Sequence, residues 1–159
     1  MSHEDKTNVM RILDQKKVVY QAHSYADTDA ISGVEVAAAL HQDPAQVFKT
    51  LVTKGKSSLF VFVIPVAAEL DLKKAAKAVG EKNVEMLKSK DLLPMTGYIH
   101  GGCSPIGMKK FYKTTFHESA QDLQTVIFSG GKIGYQVELS LAELAKVIPF
   151  QLADIIHAD

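Results

Sequence analysis

Apolar and polar positions alternate in short blocks that predict strands and helices of modest length. Residues 7–17 place Val9, Ile12 and Leu13 on one helical face. Residues 18–25 alternate as a strand until Ala26-Asp27-Thr28-Asp29 breaks the pattern. Ser32, with Glu35 three residues on, is a capping box that opens the apolar run VEVAAALH. Asp43-Pro44 predicts an N-cap with proline at the first helical position, leading one or two turns. Residues 47–54 and 59–65, joined by Gly-Lys-Ser-Ser, predict a hairpin. Residues 71–79 predict a lysine-rich helix ended by Gly80, then a short strand over 84–87 and a helical turn over 89–93. A glycine-dense stretch, TGYIHGGCSPIG, leads into strands over 110–116 and 123–128. Ser129-Gly130-Gly131-Lys132 turns the chain into a strand over 133–139. Ser140 with Glu143 is a second capping box, starting LAELAKVI, and the tail QLADIIHAD fits neither pattern. Hairpins with helices scattered between them predict one compact α+β domain over residues 1–159. Its sheet should be mixed and mostly antiparallel, with surrounding helices.

Composition narrows the class without changing that picture. A chain of 159 residues, 47% hydrophobic and 23% charged, is ordinary globular usage and excludes a disordered or collagenous protein. The single cysteine excludes an internal disulfide and a Cys-rich zinc site. The longest apolar run, LFVFVIPVAA over 59–68, is about half the roughly 20 residues that span a bilayer. The leader MSHEDKTNVM is polar and mixed in charge, unlike a signal peptide. A soluble protein of a reducing, cytoplasmic compartment is expected, with no membrane partner.

Formal net charge is zero, yet residues 40–113 hold twelve lysines against six acids. That excess reads either as a solvated surface or as an anion-attracting face. Arg11 is the only arginine, and base readout in duplex DNA leans on arginine forks, so sequence-specific DNA binding is excluded.

Familiar catalytic signatures are missing. The six histidines, His3 among them, show no metal-binding spacing, so no metal or other cofactor is expected. Residues 102–107 have the glycine separation of a P-loop, but Met108 stands where its lysine belongs. That loop is either a tight turn or a place where a ligand meets the backbone closely. Cys103, with His100 three residues before it, lacks an orienting third group and reads as a nucleophile or as a small buried hydrophobe. Lys49 is the unusual residue. It interrupts an apolar strand and shares a face with Val47 and Leu51, so it either snorkels to a rim or meets an anion or carbonyl in a cleft.

Four segments in order, VFKTLV at 47–52, IPVAAELDLKKAAKAVG at 64–80, TGYIHGGCSPIGMKK at 96–110 and IFSGGKIGYQVEL at 127–139, resemble the YbaK/EbsC family. These are small free-standing Cys-tRNA(Pro) deacylases related to the editing domain of bacterial prolyl-tRNA synthetases. The resemblance runs from about residue 8 to the C-terminus. It implies a barrel-like sheet and an enzyme that removes cysteine from mischarged tRNA(Pro). The substrate's own thiol would attack the ester, with the protein positioning and polarising the groups. It also implies prolyl-tRNA synthetase as a partner. Lys49 falls on the family's catalytic pocket lysine. Tyr25, Thr50, Gly101, Gly102 and Ser129 fall on its substrate-binding positions. Gln136 stands where related members carry an aspartate, which opens the alternative of Ala-tRNA(Pro) or another small amino acid as substrate. Lys109, Lys110 and Lys113 are candidates to meet tRNA phosphates. A non-catalytic tRNA-binding or regulatory module on the same fold is the other alternative.

Overall fold

The computed structural model describes residues 6–158; His3 and the first residues of the leader lie outside them. The chain runs α1 (Asn8–Gln15), β1 (Gln21–Ser24), α2 (Gly33–Ala39), β2 (Phe48–Lys54), β3 (Leu59–Pro65), α3 (Leu72–Val79), β4 (Glu85–Met86) and α4 (Ser89–Thr96). It continues through β5 (Lys113–His117), a 3-10 turn at Glu118–Asp122, β6 (Val126–Ser129), β7 (Tyr135–Leu139), α5 (Leu141–Leu144) and β8 (Gln151–Ala153). Local signals set several of these boundaries. The Thr7 hydroxyl accepts the Met10 N–H to start α1. The Ser32–Glu35 box forms in both directions. Asp71 caps α3, which ends at Gly80 as predicted.

Two sheets form, β1-β7-β6 and β4-β2-β3-β5-β8. Within them β3-β5 and β5-β8 are parallel and every other pair is antiparallel, so the mixed, mostly antiparallel expectation holds. The barrel-like expectation does not. The sheets meet at a single parallel bridge, Val47 to Ile127, and β1 and β8 remain edge strands. Asp43-Pro44 also starts no helix. The Asp43 carboxylate accepts the Ala45 N–H and its carbonyl the Gln46 N–H, closing a turn that delivers the chain straight to the bridge. At the second capping box only the Ser140 arm forms. The Glu143 carboxylate instead accepts the Val19 N–H at 2.7 Å and pairs with Lys146, so long-range contacts displace the local one.

The continuous apolar run of β3 is explained by burial on both faces. Val61 and Val63 enter the main core with Val9, Phe48, Phe116 and Phe128. Phe60, Phe62 and Ile64 face the other way, onto Leu70, Ala75 and Ala76. No helix among the described residues is long and apolar enough to cross a membrane.

Candidate active site

The turn between β6 and β7 is the hub of the site. Ser129 stands directly opposite Gln136, and Gln136 opposite His23 of β1, so the three share one face of the small sheet. The Ser129 hydroxyl accepts the Gly131 N–H at 3.1 Å and shapes the turn. Tyr25 is buried beside it and donates its N–H to the Gly134 carbonyl at 2.8 Å. The glycine loop packs onto the same turn. Gly101 has φ +86, a conformation that favours glycine, and a Cβ on Gly102 would lie 3.2 Å from the Ile133 nitrogen, so the missing side chain of Gly102 lets the two backbones meet closely. The Gly102 N–H donates to the Ile99 carbonyl at 3.0 Å, so Gly102 supplies clearance and no donor to a ligand.

Lys49 reaches this region on β2. The bridge between Val47 and Ile127, with the Ile127 N–H donating to the Gln46 carbonyl at 3.0 Å, lays the start of β2 beside β6. Two residues further on, Lys49 and Ser129 continue on the faces set by that pair. Lys49 is half-buried, and its ammonium makes no hydrogen bond or ion pair among the described residues. Burial pulls its pKa below the ordinary 10.5, and the Glu69 carboxylate works weakly the other way. An ammonium partly stripped of water gains by meeting an anionic or carbonyl oxygen. Thr50 projects to the opposite face of β2, where its hydroxyl is buried without a hydrogen-bond partner. The register thus puts Ser129 and Gln136 on one face of the small sheet with the start of β2 alongside, sets Tyr25 and the Gly101–Gly102 loop against the β6–β7 turn, and turns Thr50 to the face of β2 opposite Lys49.

Sequence reasoning missed the polar network under this surface. Gln136, 4% exposed, pairs amide to amide with Gln42 at 2.8 and 3.3 Å. Glu138 accepts from Thr125 at 2.6 Å and Gln46 at 3.3 Å, and pairs with His23 at 2.7 Å. Gln42 and Gln46 follow α2 with no local pattern to mark them; their partners Gln136, Glu138 and Thr125 lie 94, 92 and 79 residues away. Burial pushes the Glu138 pKa up, but the hydrogen bonds from Thr125 and His23 outweigh it and leave it below the ordinary 4.5. A carboxyl with a lowered native pKa contributes stability that is full above about 4.5 and lost as pH falls through the native value. Glu138→Gln is thus expected to lower the urea midpoint at pH 7 and to narrow its gap from wild type as pH falls below about 4.5. An unchanged gap across that range would show that Glu138 is not linked to folding.

The aminoacyl-tRNA editing domain profile matches residues 28–147, three quarters of the chain and nearly all of the site just described. The chain belongs to the aminoacyl-tRNA editing domain family. An Enterococcus faecalis protein named "Putative Cys-tRNA(Pro)/Cys-tRNA(Cys) deacylase EbsC" is 48% identical over 154 residues, covering 96% of this chain and 94% of its own. Two solved structures share the fold. One, a "putative trans-editing enzyme for prolyl tRNA synthetase", has TM-score 0.81 and 22% identity over 96% of this chain and 99% of its own. A hypothetical protein has TM-score 0.86 and 19% identity over 95% and 100%. Editing domains clear the amino acid from mischarged tRNA, and the chain is an enzyme of this deacylase kind.

Within the editing domain, Cys103 is buried, and burial pushes its thiol pKa up to about 12. Burial favours its thiol form, and no base hydrogen-bonds to it among the described residues, so nothing there activates it as a nucleophile. His100 is exposed on the loop before it. Among the described residues no group of His, Cys, Asp and Glu is placed to hold a metal ion. The three phosphate candidates lie elsewhere. Lys109 donates to the Pro94 carbonyl at 3.4 Å. Lys113 pairs with Phe60, four residues along β3 from Ile64, the partner of Lys49, which displaces the two by about 13 Å along the strands and by two strand spacings across the sheet. Lys110 lines a cleft beside Lys113.

Proposed function

We propose that this protein acts in trans, removing cysteine from Cys-tRNA(Pro), with residues 1–159 forming one editing domain that works in the cytoplasm beside prolyl-tRNA synthetase. The observation that carries the reading is a half-buried, unpaired Lys49 in a site without an activated nucleophile of its own among the described residues. Such a site suits a substrate that brings its own nucleophile. The cysteine sulfur attacks its ester carbonyl, forming the S–C bond of a thiolactone and breaking the C–O bond to the ribose. The thiol proton ends on the released ribose hydroxyl. Lys49 stabilises the oxyanion that develops on the carbonyl, and the Gly101 loop and Ser129 fix the aminoacyl group. Tyr25 closes the side of the pocket beside Gly134.

Gln136 supports a second reading, a wider amino-acid range. Its amide is neutral and already paired with Gln42, so it offers an α-ammonium no carboxylate. The test is hydrolysis of tRNA(Pro) charged with cysteine, alanine or proline. Rapid loss of cysteine alone, with a thiolactone trapped as product, is the expected result. Comparable loss of alanine would replace thiol assistance by the wider reading, and no hydrolysis of any charged tRNA would overturn both in favour of a non-catalytic tRNA-binding module.

A further inference from the structure

The β2–β3 hairpin and the segment entering β5 enclose a cleft of about 470 Å³ remote from Lys49. Four lysines line it, Lys54 and Lys56 from the hairpin and Lys110 and Lys113 from the entry to β5, and no carboxylate does. Phe111, half exposed at 50%, lies among them with Tyr112. Two glutamates flank the cleft without forming ion pairs. Glu81 accepts the backbone N–H of Lys56 at 2.8 Å, and Glu85 stands across from Lys54 in the β2–β4 register. Neither forms an ion pair with a cleft lysine, and none of the four lysines has a carboxylate partner among the described residues.

Four lysines without an ion-pair partner among the described residues, against two nearby glutamates, leave a cationic cleft that attracts a polyanion, and a half-exposed aromatic ring among them can accept a stacked base. An acidic peptide would answer the charge but leave the Phe111 ring without a flat partner. Point-charge lysines suit phosphates, which need no fork geometry. We propose that this cleft is a second RNA-binding site, holding phosphates of the tRNA on its lysines and an unpaired base on Phe111. This rests on the deacylase reading for the identity of the RNA. Lys54 lies five residues along β2 from Lys49, about 16 Å, and Lys113, on the face of Lys49 through the Thr53–Phe60–Lys113 register, is displaced about 13 Å along the strands, so distance along the sheet separates the cleft from Lys49. The cleft therefore grips a part of the tRNA other than the esterified 3′ end, and contributes to retention of the substrate without touching the reacting atoms.

The test uses the full chain and a fluorescent, uncharged tRNA(Pro) transcript, with hydrolysis of cysteinyl-adenosine ester run in parallel. Lys54→Ala/Lys56→Ala is expected to weaken transcript binding roughly tenfold and to reduce the slope of log K against log salt by about two. Phe111→Ala is expected to weaken it by a similar factor with an unchanged slope. All cleft variants should hydrolyse the small ester at the wild-type rate, which also reports that they are folded. Wild-type binding by either the double lysine variant or Phe111→Ala overturns the proposal. Failure of wild type to cleave the ester would sink the deacylase reading; circular dichroism then reports folding, and the binding comparison still decides the cleft.

Discussion

Lys49→Ala is expected to lower kcat/KM for Cys-tRNA(Pro) by about 10²–10³-fold, the cost of losing one preorganised donor at a developing oxyanion. The fold should survive the change. No hydrogen bond or ion pair among the described residues depends on the ammonium, and burial already disfavours its charge. Stability should stay within about 1 kcal/mol of wild type. Lys49→Met retains the apolar stem and removes only the charge. It should be as inactive as the alanine variant, and wild-type turnover in it would take the ammonium out of the chemistry. A rise in KM with kcat unchanged would assign Lys49 to uniform binding of the tRNA end.

The largest effect on stability is expected at Phe116. Its ring is fully buried between Phe48, Phe128 and Phe150, with centroids 6.1, 6.1 and 5.4 Å away. Phe48 belongs to β2, Phe128 to β6 and Phe150 to the approach to β8, so one ring packs against both sheets. Phe116→Ala removes those contacts and leaves a cavity that the strands on either side cannot close. A loss of about 3–5 kcal/mol follows, or roughly 10 °C in Tm for a domain of this size. Urea unfolding should show a lower midpoint at constant slope. A loss below about 1 kcal/mol would mean that the two sheets are not packed through this ring.

Much of what neighbouring residues set was legible in the sequence, the Asp43-Pro44 turn read as a helix start being the exception. The Ser32–Glu35 box, the 48–65 hairpin and the Asp71–Gly80 helix each close within a few positions, and each is present. Lys49 was legible for the same reason, because two-residue alternation fixes its face whatever the rest of the chain does. Distance defeated the reading elsewhere. The parallel pairing of β3 with β5 joins residues some 50 positions apart through intervening elements, and no local signal marks it. Gln42 carries no pattern until Gln136 stands beside it. Glu143 obeyed its motif on paper, but the unpaired N–H of Val19 made a better claim on its carboxylate. The open edges of β1 and β8 likewise depend on how two sheets meet, which a single bridge decides.

The strand β1 has one partner, β7, and their register joins His23 to a glutamine more than a hundred residues later. A nascent chain that has exposed Lys49 on its finished hairpin therefore still lacks Ser129, Gln136 and the turn on which Tyr25 and the glycine loop close. Pairings this distant in sequence also form late in folding. The pocket is therefore complete only once β1 has paired with β7 and the β6–β7 turn has closed, so its integrity is tied to the least local pairing of the small sheet.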